Sequence, residues 1–180
     1  ISSEIHFAPT ETAKENLIKE GINGEKILLT GNTIVDALKY ICNTDALKNI
    51  SFSKKFNDIY CRDNLILITC HRRENHGKNL ANLIKAVISL SKIYTDHNFI
   101  WVTHPNPNVQ IEIESSDLRS RKNIFPVEPV NYLEMISLYK KVKLIMTDSG
   151  GIQEEAPSFG IPVIIVGKKT ERMEGILEGY

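Results

Sequence analysis

The chain has 180 residues, 42% of them hydrophobic and 24% charged, enough for one globular domain with a substantial core and too few for two full α/β domains. Its 22 Lys+Arg balance 22 Asp+Glu, so no bulk positive field draws nucleic acid or an anionic membrane, and neither is expected as a partner. The three cysteines, Cys42, Cys61 and Cys70, form no Cys-x-x-Cys pair, which argues against a disulfide framework or a structural zinc site and makes a reducing cytoplasm the default location.

The first residues, Ile1-Ser2-Ser3-Glu4, lack a signal pattern and an initiating Met, so the chain is expected to begin inside a longer one. Ile5–Ala8 reads as a short strand. Thr12 and Glu15 have capping-box spacing, with Thr12 as N-cap of a helix that ends near Gly21. Lys26–Thr30 is the next strand, and Ile34, Ala37, Leu38 and Ile41 follow helical spacing. Residues 44–62 are polar and mixed, a linker or an ill-defined helical segment. Leu65–Cys70 is an apolar strand, and Leu80, Leu83, Ile84 and Val87 mark a long helix after it. Phe99–Thr103 is a strand, Val109–Glu114 opens a helix, and Ile124–Val127 is a short strand. Tyr132, Met135, Ile136 and Tyr139 share one helical face. Leu144–Thr147 is a strand, Gly150–Ser158 a helix start, and Val163–Val166 a further strand. The apolar runs are strand-sized, far short of a membrane span.

Continuous apolar strands separated by helices predict an α/β domain, with a doubly wound, mostly parallel sheet covered on both faces. Such sheets bind ligands beyond the carboxyl ends of their strands. Three loops lie there. His71-Arg72-Arg73-Glu74-Asn75-His76-Gly77 offers planar guanidinium forks to an anion, although it also suits a solvated loop in which Glu74 pairs with an arginine. Asp148-Ser149-Gly150-Gly151 leads into Ile152-Gln153-Glu154-Glu155-Ala156. There, glycines without Cβ atoms and a helix start favour a phosphate. The bland alternative is that Ser149 or Asp148 only caps the helix. Of Glu154 and Glu155, one suits ribose hydroxyls while the other is solvated. His104-Pro105-Asn106-Pro107-Asn108 is stiffened by two prolines, and His104 suits either a ligand contact or a structural hydrogen bond. The sequence has no metal-ligand spacing, no Gly-x-Ser-x-Gly elbow and no dinucleotide or P-loop fingerprint, so neither a metal nor another cofactor is expected.

Several segments together resemble one family, the non-hydrolysing UDP-N-acetylglucosamine 2-epimerases. They are His6–Glu11, Thr30–Ala37, His71–Asn75, His104–Val109, Thr147–Pro157 and Thr170-Glu171-Arg172, in order along nearly the whole chain. The resemblance implies two Rossmann-like domains in a glycosyltransferase-B arrangement, with this chain as the carboxy-terminal half. Residues 1–25 would be an inter-domain strand and helix. Residues 26–180 would be the UDP-binding domain, truncated at its carboxyl end. It implies that Ser149, Gly150 and Gly151 hold the diphosphate, that Glu155 takes the ribose hydroxyls, and that Arg172 lies near the phosphates or sugar. It makes His71 the catalytic residue and puts the uracil near Val130 and Met135. Arg72 and His104 match positions that touch a second, activating UDP-N-acetylglucosamine in bacterial members. The implied partners are UDP-N-acetylglucosamine or UDP, a missing amino-terminal domain and, at full length, a second copy in a homodimer. In the family the proton-moving carboxylates belong to the amino-terminal domain, so the isolated chain is expected to be inactive. A UDP-sugar glycosyltransferase and a non-catalytic nucleotide-sugar-binding domain are the alternatives.

Overall fold

The structure is a computed structural model that describes residues 3–48, 50 and 52–167. Contacts divide the chain into two compact units, which meet in sequence between Thr44 and Asp45.

The first unit alternates strand and helix: β1 (His6–Ala8), α1 (Glu11–Lys19), β2 (Ile27–Leu29) and α2 (Thr33–Asn43). The two strands pair in parallel, with Phe7 opposite Leu28. The N-cap of α1 is Thr10 and not Thr12: its backbone is extended, and its Oγ1 accepts from the Ala13 amide at 3.1 Å. The chain leaves β1 at Ala8, so the first residue able to close a turn lies two positions before the sequence expectation, and Thr12 falls inside the helix. α1 ends as expected, with Glu20 as C-cap and Gly21 in the left-handed region at φ +89°.

Among the described residues the second unit carries a five-stranded sheet in the order β5-β4-β3-β6-β7, with every pairing parallel. Its strands are β3 (Leu65–Thr69), β4 (Asn98–Val102), β5 (Ile124–Val127), β6 (Leu144–Thr147) and β7 (Val163–Ile165). Helices α4 (Lys78–Ile93), α5 (Pro107–Glu114), α6 (Tyr132–Tyr139) and α7 (Gly150–Glu155) connect them. All five residues of β3 are buried, as a central strand covered on both faces requires. Alternation then sorts the side chains. Ile66, Ile68, Phe99, Trp101 and Met146 form one core with Leu80, Ile84 and Val87 of α4 and Val109 and Ile113 of α5. Leu65, Leu67, Ile100 and Ile145 point to the other face and are likewise fully buried. Pro126 sits in β5, which among the described residues pairs only with β4, the edge position where a missing backbone donor costs no ladder bond.

Between residues 44 and 62 the chain contains a definite helix, α3 (Lys54–Tyr60). Phe56 and Ile59 are buried, and Phe56 stacks with Tyr60 at a centroid distance of 6.4 Å. With two buried apolar anchors in seven residues, the segment is too short to show a clear period in sequence. The helix expected over Gly150–Ser158 narrows to a 3-10 turn at Ala156–Phe159 and stops at Gly160, which is left-handed at φ +65°. Pro157, which lacks an amide donor, interrupts the regular ladder.

The strand order places a switch point beside β3. From β3 the chain runs outward to β4 and β5, then returns through α6 to β6 on the other flank of β3. The loops after β3 and β6 therefore lie over adjacent strand ends, the place where sheets of this kind bind ligands.

Candidate functional site

The switch point is organised by a residue whose chemistry in sequence suggested only a helix cap. Asp148 follows β6 directly, and its side chain is 1% exposed. Its carboxylate accepts from the backbone amides of His71, at 3.0 and 3.1 Å, and of Arg72, at 2.8 Å. It also accepts from Asn75 Nδ2 at 2.9 Å and from the Cys70 thiol at 3.4 Å. Asp148 thus ties the loop after β6 to the basic loop after β3. One layer deeper, Thr69 and Thr147, opposite one another in the β3–β6 register, bond through their hydroxyls at 2.6 Å. Thr147 Oγ1 also accepts from the Ser149 amide at 2.9 Å, which fixes the first turn of the loop. Burial and the adjacent Asp148 carboxylate push the Cys70 thiol pKa up, so it stays protonated and donates.

His71 Nδ1 stands 3.3 Å from Asp148 Oδ1, and the imidazole remains 41% exposed. The ring of His104, from the loop after β4, stacks on it at 5.9 Å with an interplanar angle of 20°. The structural hydrogen bond expected of His104 is present, its Nδ1 accepting from the Asn106 amide at 3.2 Å, and the ring also meets His71. Arg72 lies on the same loop, with Nη1 3.5 Å from Glu74 Oε1. The bland ion pair is thus present, but Glu74 is 65% exposed, and a pair in that setting contributes little.

Ser149 caps α7, its Oγ accepting from the Ile152 amide at 3.5 Å, a long bond that leaves the hydroxyl weakly held. Gly150 is buried and Gly151 exposed. A Cβ on Gly151 would meet only Ser149 Oγ, at 3.8 Å, and the backbone there is helical. The packing of the fold does not require glycine at this position.

Glu155 is the buried member of the Glu154–Glu155 pair. Its carboxylate accepts from Tyr139 Oη at 2.7 Å and from Tyr132 Oη at 3.2 Å. Burial and the neighbouring Glu155 push the Tyr139 pKa far up, so this hydroxyl is a permanent donor. Tyr132 is 40% exposed, and its bond is the longer of the two. The sequence reading placed both tyrosines on an apolar helix face and missed their hydroxyls. Val130 and Met135 are half-buried and flank Tyr132, one in the loop after β5 and one on α6. Arg172, with Thr170 and Glu171, lies outside the described residues.

Fold and loops define the class: a doubly wound, Rossmann-like α/β domain with polar, partly basic strand-end loops at its switch point. The family model described as UDP-N-acetylglucosamine 2-epimerase matches residues 1–180, and the chain belongs to that family. The UDP-N-acetylglucosamine 2-epimerase of Neisseria meningitidis is 42% identical over 183 residues, covering 99% of this chain and 48% of that protein. A crystal structure of the Neisseria meningitidis enzyme bound to UDP-GlcNAc superposes with a TM-score of 0.85 at 40% identity, over 97% of this chain and 47% of the other. The Methanocaldococcus jannaschii enzyme in complex with UDP-GlcNAc and UDP gives 0.79 at 37% identity, over 97% and 48%. The wall teichoic acid polymerase TagF, at 16% identity and a TM-score of 0.53 over 89% of this chain and 38% of that one, shares the fold alone. The chain is one half of a glycosyltransferase-B-type arrangement, and it spans about half the length of the curated relatives it matches.

Proposed function

We propose that the chain is the UDP-binding half of a UDP-N-acetylglucosamine 2-epimerase, which interconverts UDP-N-acetylglucosamine and UDP-N-acetylmannosamine. The reaction breaks the C1–O bond to UDP and removes the C2 proton, giving a 2-acetamidoglucal. UDP then adds back at C1 while C2 takes a proton on the opposite face. This half would stabilise the departing diphosphate. His71 and the amide end of α7 at Ser149, Gly150 and Gly151 would face its oxygens, where negative charge develops. Glu155 would accept from the ribose hydroxyls, with Val130 and Met135 beside the uracil. Arg172 would sit near the phosphates. Arg72 and His104, on neighbouring strand-end loops, would meet a second UDP-sugar acting as activator. The proton-moving carboxylates would come from the amino-terminal domain that the relatives' remaining length provides, in a cytoplasmic homodimer.

The observation that carries this reading is the convergence of His71, Ser149 and Asp148 at the β3–β6 switch point, where Asp148 bonds the His71 amide at 3.0 Å. Calorimetric titration tests it. UDP is expected to bind. Glu155→Ala and Arg172→Ala should each weaken binding by about tenfold or more, the scale of a lost charged hydrogen bond. The isolated chain should give no UDP-N-acetylmannosamine, whereas the protein that includes the relatives' other half should. Transfer of the sugar to an acceptor by that longer protein would overturn the assignment. Formation of UDP-N-acetylmannosamine by the isolated chain would overturn the division of labour.

A further inference from the structure

We propose that Asp148 is the positioning residue for His71: it holds the imidazole as the Nδ1–H tautomer and turns Nε2 toward the ligand. The inference rests on the reading of His71 as the group that meets the diphosphate, and it assigns a role in the chemistry to Asp148, to which that reading gives only a place in the fold.

Asp148 receives two backbone amides, one side-chain amide and one thiol, none of them from its own helix. A capping role does not account for this pattern, because Ser149 already caps α7. Two of the donors are the amides of His71 and Arg72, so the carboxylate sets the backbone from which the imidazole projects. The imidazole nitrogen nearest the carboxylate is Nδ1, at 3.3 Å. In the neutral ring one nitrogen is a donor and the other an acceptor, and a buried carboxylate selects the donor for itself. The ring of His104 lies nearly parallel to that of His71, 5.9 Å away between centroids. Its own Nδ1 is occupied by the Asn106 amide, so it does not compete for Asp148. Nε2 is then the one imidazole nitrogen left to exchange a proton or a hydrogen bond with a ligand. Asn75 completes the support: its Nδ2 bonds both Asp148 Oδ2, at 2.9 Å, and the Val166 carbonyl beyond β7, at 3.3 Å, which anchors the carboxylate across the sheet end.

The test begins with the unaltered protein, so it does not depend on a variant folding. Two-bond 1H–15N spectra of 15N-histidine-labelled protein, at about pH 8 where an ordinary histidine is neutral, should show His71 with its proton on Nδ1. The signal is identified by its loss in His71→Gln. An Nε2–H tautomer in the unaltered protein would overturn the proposal. Asp148→Asn, nearly isosteric, should move His71 toward the Nε2–H tautomer, and an unmoved pattern would also overturn it. In the complete enzyme, Asp148→Asn should lower kcat by about tenfold or more and change KM by less than about threefold. In the His71→Gln background the same change should cost no further activity, and additive losses would count against action through His71. If His71→Gln alone leaves kcat intact, the reading of His71 fails, and the tautomer measurement still decides whether Asp148 sets the ring.

Discussion

Glycine at position 151 is a residue whose identity the folded chain leaves unexplained. It has helical backbone, and a Cβ there would make only an ordinary contact with Ser149 Oγ at 3.8 Å. Alanine there should raise stability slightly, by about 0.5–1 kcal/mol, because it removes the entropy that glycine loses in a helix. If the diphosphate approaches this backbone, the same Gly151→Ala change should weaken UDP binding by about tenfold or more, the scale of one lost hydrogen bond to a charged group. Chemical denaturation and UDP titration on the same variant check the two halves together. Improved stability with unchanged affinity would remove Gly151 from the site. Tyr139 is the opposite case, a residue fully engaged by its surroundings. Its hydroxyl is the shorter of the two donors to buried Glu155. Tyr139→Phe leaves a buried acceptor short of a partner and should cost about 1–3 kcal/mol in urea denaturation. Tyr132→Phe, at an exposed ring, should cost clearly less.

Among the elements, α4 carries the sharpest local constraint. Its N-cap Gly77 adopts φ 67° and ψ −125°, outside even the left-handed helical region. Among the described residues beyond its chain neighbours, nothing lies within 4 Å of a Cβ placed there, so the cost of a side chain is backbone strain. Gly77→Ala should destabilise by about 1–3 kcal/mol. It should also disturb the basic loop that Gly77 terminates. Denaturation midpoints give the first effect, and the amide shifts of His71 and Arg72 give the second. Helix α6 rests on a different device. Asn131 and Glu134 form a reciprocal capping box, at 3.0 and 2.7 Å. Asn131→Ala should cost about 1 kcal/mol, read from thermal unfolding. Because α6 presents both tyrosines to Glu155, fraying at this cap should also weaken UDP binding, whereas the exposed i,i+3 pair Lys48–Asp45 should be neutral when removed.

At the scale of the whole molecule, two buried acids link stability to alkaline pH. Cys70 and Tyr139 are both held protonated in the folded state, chiefly by burial, while in the unfolded chain they ionise at ordinary values. The folded state then binds more protons than the unfolded one, so stability is full below the unfolded pKa values and is lost as pH rises through them. The urea midpoint should fall above about pH 8.5, where the free thiol ionises, and more steeply above about pH 10, where tyrosine follows. Cys70→Ala should flatten the first part of that fall. An unchanged slope between those two pH values would show that the thiol does not contribute.

The strands β5 and β6 were legible to the residue from their apolar runs, and the helix α6 from the spacing of Tyr132, Met135, Ile136 and Tyr139. The three strand-end loops were legible too, since an alternating β and α pattern fixes which loops follow strand ends. The cap of α1 was misplaced by two residues, because two threonines offer the same local chemistry and only the end of β1 chooses between them. Helix α3 was blurred, because its Phe56 and Ile59 are explained by what they pack against and not by their period. The family, too, was readable from motif order alone. What the sequence did not contain was the arrangement among the loops. Asp148 reaches residues 73–78 positions away, and Tyr132 and Tyr139 meet Glu155 across a full crossover. Local propensity acts within a few residues, so it determined the elements and their order. Strand adjacency is decided by burial of the whole sheet, and that alone brought a carboxylate after β6 beneath a histidine after β3.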